Sequence, residues 1–291
     1  MELPIVVGVD GSGSALRAVD WAADEAALHG RPVRLVHASL WDRYEGLAPA
    51  FGIARPVERL LAEQTLTEAR ERARLRRPEV DASTEVAPAA PADALVAAGD
   101  KAYTLVVGSH GQGGLVGALL GSASLSVAAR AHCPVVVVRG EVTARRRRIL
   151  CGVGDRGADS AALRFAFREA EAAGCPLQAV RCWRCPAREE IGDLMLATGA
   201  AEGHDARARE FLAGALDECR RRHPGVRVQQ LAAEGPARRV LLEAAVSADL
   251  VVLGDARGTG ARSTLRLGPV VHALLHRAPC PVAVVPERPA G

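Results

Sequence analysis

The chain has 291 residues, 49% of them apolar and 24% charged, with a formal net charge of +3. This composition excludes a disordered or collagen-like chain, and no apolar run approaches the roughly 20 residues that span a bilayer. At roughly 150 residues per domain, the length fits two domains or one large one.

In chain order, Pro4 to Val9 is a short apolar run, as expected for a strand buried on both faces of a parallel sheet. Ala15 to Leu28 carries apolar residues at helical spacing and is ended by Gly30. Val33 to Ala38 reads as a second strand, and the stretch from Leu40 to Pro56, without clear period, as a loop. Val57 to Arg76 reads as a long helix whose arginines and glutamates form a solvated face laced with ion pairs. Thr84 to Val86 belongs to a third strand, and Ala92 to Gly99 to a helix opened by Pro91. Leu105 to Gly108 ends a fourth strand, Ser122 to Ala131 is a helix, and Val135 to Val138 is the fifth strand. Strands alternating with helices predict an α/β fold with a parallel sheet.

The pattern then repeats. Val6-Val-Gly-Val-Asp10 returns as Leu150-Cys-Gly-Val-Gly154, and Trp21-Ala-Ala-Asp-Glu-Ala26 as Phe165-Ala-Phe-Arg-Glu-Ala170. Thr104-Leu-Val-Val-Gly108 returns as Leu250-Val-Val-Leu-Gly254, and Cys133-Pro-Val-Val-Val-Val138 as Cys280-Pro-Val-Ala-Val-Val285. The offsets, between 144 and 147 residues, are too long for a solenoid and mark a duplicated domain. The expected domains are residues 1–140 and 147–291, joined by the arginine-rich segment Gly140 to Arg148. That segment reads as a solvated linker and not as a nucleic-acid contact. Arginine supplies nearly all the positive charge, Lys101 being the sole lysine, but the arginines are scattered, so no nucleic-acid partner is expected. The opening residues lack a basic, cleavable leader, so the expected compartment is the cytosol, with seven cysteines as reduced thiols.

The segment richest in chemistry follows the fourth strand: Gly108-Ser109-His110-Gly111, then Gly113 and Gly114, then Gly121-Ser122 at the start of a helix. Glycines let the main chain approach a ligand, and such a loop presents successive N–H groups to an anion. A helix start adds free N–H groups and a favourable dipole, with Ser122 placed both to cap the helix and to donate its hydroxyl. A turn followed by an ordinary cap is the competing reading, and His110 reads equally as a phosphate donor or a solvated loop residue.

Spacing favours the first. Gly108-x2-Gly111-x9-Gly121-Ser122 resembles the nucleotide-binding signature of the universal stress protein family. Val7-Gly-Val-Asp-Gly-Ser12, Leu35-Val-His-Ala38 and Ala131-His-Cys-Pro-Val-Val-Val-Val138 are similar to its first, second and last strands. The resemblance runs along nearly the whole chain and is to tandem members. It implies two doubly wound domains of strand order 3-2-1-4-5, with ATP, alone or with magnesium, held across the Asp10 turn and the Gly108 loop. AMP and cyclic AMP are the less favoured ligands. By resemblance, the Gly108–Gly114 backbone (Ser109, His110, Gly111, Gly113 and Gly114 included) with Gly121, Ser122 and Ala123 would hold phosphates. Asp10 would lie near the nucleotide, Gly8 would leave room beside it, and the main chain of Ala38 would contact adenine. The resemblance also implies an internal pseudo-dimer through the last strands, with association into a homodimer a further option.

The second copy departs from this pattern. Its loop reads Gly254-Asp-Ala-Arg257-Gly258-Thr-Gly260, with Gly268-Pro269 in place of Gly121-Ser122, so a hydroxyl and an N–H vanish together. Gly154 replaces Asp10, with Asp155 as a neighbouring substitute. Asp255 adds negative charge to the loop and Arg257 offsets part of it. A weakened or empty second site is expected. Cys182-Trp-Arg-Cys185 has redox-motif spacing but reads as two coincidental cysteines, and His29, His204, His223, His272 and His276 lack metal-site spacing. No catalytic or metal constellation is expected, and no membrane partner. The expected function is an adenine-nucleotide-binding stress-response regulator with one competent site; the alternatives are an interaction module that binds no nucleotide, or a slow ATPase.

Overall fold

The structure is a computed structural model that describes residues 2–39, 54–111, 120–140, 147–184, 194–256 and 267–287. The chain divides into two compact units, Met1–Ala144 and Arg145–Gly291. Residues 40–53 of the expected loop, the linker residues 141–146, and Gly113, Gly114, Cys185, Arg257, Gly258 and Gly260 lie outside the described residues.

In the first unit the elements are β1 (Ile5–Gly8), α1 (Gly13–His29), β2 (Val33–Ala38), α2 (Ala54–Arg76), β3 (Ala82–Ala87), α3 (Pro91–Gly99), β4 (Thr104–Gly108), α4 (Ser122–Arg130) and β5 (Val135–Val138). All pairings are parallel and give the order β3-β2-β1-β4-β5. Val, Ile and Leu fill the central strands because both faces are covered: Ile5, Val6 and Val7 of β1 are fully buried, as is β5. α1 packs against α2, and α3 against α4. The aromatic-poor composition is met by alanines, with Ala18, Ala22, Ala23 and Ala26 turning one face of α1 into a flat surface against the sheet.

Local chemistry sets the helix ends. α1 starts two residues before Ala15, because Ser12 is its N-cap and accepts from the Ala15 N–H at 3.2 Å. Gly30 ends it in the left-handed conformation at φ 61°. α2 includes Ala54 to Pro56, the end of the segment expected to be a loop; proline is compatible with a helix's first turn, so it does not bar the earlier start. Its arginines do more than cover a solvated face: Arg72 forks onto Asp20 at 2.6 and 2.8 Å, and Arg76 converges on Asp24 with Arg77, the residue after the helix, tying α2 to α1.

The second unit repeats the plan with β6 (Ile149–Gly152), α5 (Ala161–Ala173), β7 (Leu177–Trp183), α6 (Leu194–Arg222), β8 (Val228–Glu234), α7 (Ala237–Ala245), β9 (Leu250–Ala256), α8 (Pro269–Arg277) and β10 (Val282–Glu287). Its parallel order is β8-β7-β6-β9-β10, the same 3-2-1-4-5 arrangement. Cys182 and Trp183 are strand residues of β7, and Cys133 and Cys280 are buried at the starts of matching strands. Among the described residues, no helix is long and apolar enough to cross a membrane.

Candidate functional site

The order of each sheet reverses between its first and fourth strands, and ligands of doubly wound sheets bind beyond the carboxyl ends at such a point. In the first unit a cavity of about 380 Å³ lies there, lined from β1 by Gly8, Val9 and Asp10, and from β2 by Val36, His37 and Ala38. The first residues of α3, the end of β4 through Gly111, and Gly121 to Ser124 complete it. The structure thus brings Gly8, Asp10, Ala38, Gly108, His110, Gly111, Gly121, Ser122 and Ala123 together. Ser109 is not part of the lining: it is buried, with its hydroxyl 2.8 Å from His110 Nδ1.

Two glycines have other tasks than those read from the sequence. A Cβ on Gly8 would lie 2.7 Å from Leu95 Cδ1, so the room that Gly8 leaves is filled by Leu95, which becomes a cavity wall. A Cβ on Gly108 would come within 2.7 Å of the Ser14 backbone, so Gly108 lets the first turn of α1 close onto the end of β4. The left-handed turn is made instead by Gly11, at φ 79°, with Asp10 Oδ1 accepting from the Ser12 N–H at 3.0 Å.

The loop after β4 is held by hydroxyls that the sequence reading missed. Ser14 is hydrogen-bonded to the His110 carbonyl and accepts from the His110 N–H at 3.3 Å. Ser124 donates to the Gly108 carbonyl at 2.7 Å, and the Gly121 N–H donates to the Ser109 carbonyl at 2.8 Å. These bonds tie the starts of α1 and α4 to one three-residue stretch. Ser122 is the first residue of α4 and not its cap; the cap is Gly121, which offers no side-chain acceptor. Gly121 to Ser124 line the cavity, and among the described residues no carboxylate or hydroxyl is seen to cap the first-turn N–H groups of α4; the exposed Ser122 hydroxyl stands beside them.

His37 is a further lining residue the sequence reading passed over. Its Nδ1 lies 2.9 Å from the Val9 carbonyl, which can only accept, so the ring carries its proton on Nδ1 and Nε2 is the acceptor in the neutral form. Its signal, a polar residue one place before the end of a buried strand, was present in the sequence.

A profile of the universal stress protein family matches residues 1–139 and again 145–286. The chain belongs to the universal stress protein family. A universal stress protein of Mycolicibacterium smegmatis is 32% identical over 303 residues, covering 99% of this chain and 98% of its own. One from Mycobacterium tuberculosis strain H37Rv is 32% identical over 298 residues, covering 98% and 97%. The crystal structure of a universal stress protein from Archaeoglobus fulgidus matches with a TM-score of 0.68 at 18% identity, covering 98% of this chain and 97% of that one, which supports the fold.

The second unit of this universal stress protein has a cavity at the corresponding place, of about 250 Å³. Its β6 and β7 side matches the first unit: Gly152 makes room for Leu241 and Leu253 as Gly8 does for Leu95, and Arg181 donates to the Val153 carbonyl at 3.2 Å where His37 donates to Val9. Asp155 lines this cavity but pairs with Arg181 at 2.6 Å, its side chain 94% exposed. Asp255 is not a loop residue: β9 runs on through Ala256, and Asp255 is a buried strand residue in register with Pro286. The extension ends opposite Glu287, whose carboxylate accepts from the Ser160 hydroxyl at 2.6 Å and from the N–H groups of Ala161 and Ala162 at 2.8 and 3.2 Å. Glu287 thereby caps α5 and lines the cavity beside Gly254.

Proposed function

We propose that this universal stress protein is a regulatory adenine-nucleotide-binding protein, with the nucleotide in the first unit, taken as residues 1–140. The observation that carries the reading is the start of α4: a helix capped by glycine, its first-turn N–H groups and the Ser122 hydroxyl turned to a cavity at the topological switch point. Phosphates would sit against Gly111, Gly121, Ser122 and Ala123, and Gly113 and Gly114 would extend the cradle. The base would enter the apolar side formed by Val9, Val36 and Leu95, with the Ala38 main chain at its edge. ATP fits this division into an apolar and an N–H-rich half. The Asp10 carboxylate, whose Oδ2 lies 3.0 Å from where a Gly111 Cβ would be, would face a magnesium ion carried by the phosphates. The cytosol is the compartment in which such a ligand is abundant.

The test is Ser122→Pro, which copies Pro269 of the second unit. Proline is tolerated at a helix's first position, and the extended backbone of Gly121 (φ −61°, ψ 143°) suits a residue before proline, so the fold is retained. One N–H and one hydroxyl are lost. Calorimetric titration with ATP and magnesium should give one nucleotide per chain in the natural protein and an affinity at least about tenfold weaker in the variant, or about 1.4 kcal/mol. Saturable ATP binding that is unchanged by Ser122→Pro, or absent from the natural protein, overturns the reading.

A further inference from the structure

We propose that the cavity of the second unit is a separate binding site for an uncharged nucleoside, and that it rejects the phosphorylated forms. The proposal rests on the reading of the first unit as a nucleotide site, because it compares the two cavities position by position. On the side that would take a base, the lining is retained. Gly152, Val153, Val180 and Leu241 stand where Gly8, Val9, Val36 and Leu95 stand, and Cys182 takes the place of Ala38.

The side that would take phosphate is rebuilt in three ways. First, Pro269 opens α8 and brings no N–H, and it lines the space that adjoins the cavity at Cys182, Ala237 and Val270. Second, Val270 and Val271 replace Ala123 and Ser124, so the helix start turns branched apolar side chains to the cavity. Third, Glu287, 7% exposed, sets a carboxylate against Gly254 and uses the start of α5 as its own anion site. Among the described residues, a phosphate entering here would meet the Glu287 carboxylate and a helix start that has lost its first N–H and its hydroxyl.

Among the described lining residues, the Arg181 guanidinium is engaged by Asp155 at 2.6 Å, and the Glu287 carboxylate is held by the Ser160 hydroxyl and the start of α5. Apolar walls on the base side, with a buried carboxylate and branched apolar side chains on the other, suit a compact neutral ring system with a few hydroxyls, which is the chemistry of a nucleoside. The chain would then carry two inputs, a nucleotide in one unit and its dephosphorylated form in the other.

The experiment uses the full chain and adenosine, AMP and ATP with magnesium as probes in calorimetric titrations. In Ser122→Pro, adenosine should still bind, at least about tenfold more tightly than AMP or ATP. Adding Val270→Trp, which fills the cavity from its rim, should abolish that adenosine binding; Ala237→Leu, at the start of α7, is the second filling variant should the first fail to fold. Val270→Trp alone should leave the single ATP site intact. AMP or ATP binding as tightly as adenosine in Ser122→Pro overturns the proposal. So does adenosine binding that is absent from Ser122→Pro or survives both filling variants. If the natural protein binds no ATP, the nucleotide reading of the first unit falls, while the adenosine arm still decides the second.

Discussion

The Ser160 hydroxyl donates to the Glu287 carboxylate at 2.6 Å, joining the start of α5 to the last residue of β10 across 127 positions of sequence. The first unit places Gly140 at the position of Glu287, with a left-handed φ of 64°, and β5 has already ended at Val138. The strand pair of the first unit stops at Gly108, whereas that of the second continues through Ala256, where Glu287 stands opposite. Where the pair stops, Ser14 takes hold of the His110 backbone and the chain turns into the loop.

Glu287→Ala removes a buried, charge-assisted acceptor from three donors. A loss of about 2–3 kcal/mol is expected, and about 1 kcal/mol for Glu287→Gln, which keeps an acceptor oxygen. Hydrogen exchange of the α5 amides under increasing denaturant reads the effect locally. Equal protection in the natural chain and Glu287→Ala would mean that the cap contributes nothing.

Ser14→Ala leaves the α1 cap, Ser12, in place but removes both bonds to His110. Stability should fall by only about 1 kcal/mol. Affinity for ATP with magnesium should fall by about tenfold, because His110 loses part of its tether to α1 and is less well ordered before the ligand arrives, although Ser124 and Gly121 still hold Gly108 and Ser109. Calorimetry and thermal unfolding separate the two; a stability loss with unchanged affinity would make Ser14 a packing residue only.

Gly108→Ala and Gly154→Ala form a matched pair. The new methyl meets the Ser14 backbone within 2.7 Å in the first case and nothing within 4 Å in the second. Gly108→Ala should cost about 1–3 kcal/mol and weaken ATP binding, whereas Gly154→Ala should be neutral or stabilise by about 0.5 kcal/mol. Chemical denaturation of the two variants checks the contrast, which the sequence alone, with glycine in both places, does not predict.

Burial pushes the Cys280 thiol from 9.0 up to about 12, with the charge of Asp249 adding to it, and raises the Cys151 thiol further in the same direction. For an acid whose pKa is raised by folding, the unfolded chain loses its proton first as pH rises above 9.0. The unfolded state then binds fewer protons than the native one, so stability falls with pH, by up to about 1.4 kcal/mol per pH unit for each such thiol. Denaturation midpoints should therefore drop between pH 9.0 and about 12, and less steeply in Cys280→Ala. At pH 8, a thiol reagent should label neither cysteine until the chain unfolds.

Much of the fold was legible because its signals are local or simply additive. Short apolar runs mark strands covered on both faces, Gly30 and Pro91 mark helix ends, and the repeat offsets mark the duplication. Within the site, the glycines and Asp10 could be found by spacing. Ser14 and Ser124 could not, since each acts through a partner 16 or more positions away, and hydroxyls carry no periodic signal; His37 was legible only as a polar residue near the end of a buried strand, not in its bond to the Val9 carbonyl. The loss of donors at Pro269 was visible in one residue, because proline lacks the N–H wherever it stands.

Sequence by itself therefore determined the α/β class, the two copies, the element order and the chemical character of each glycine loop. Tertiary structure alone decided that Gly8 serves Leu95, that Gly108 serves Ser14, and that the second cavity holds a carboxylate of its own. The physical reason is that hydrophobic pattern and backbone propensity act over a few residues. A carboxylate, by contrast, acts on whatever folding brings within about 3 Å of it, and Glu287 meets its donors only once β10 and α5 lie side by side.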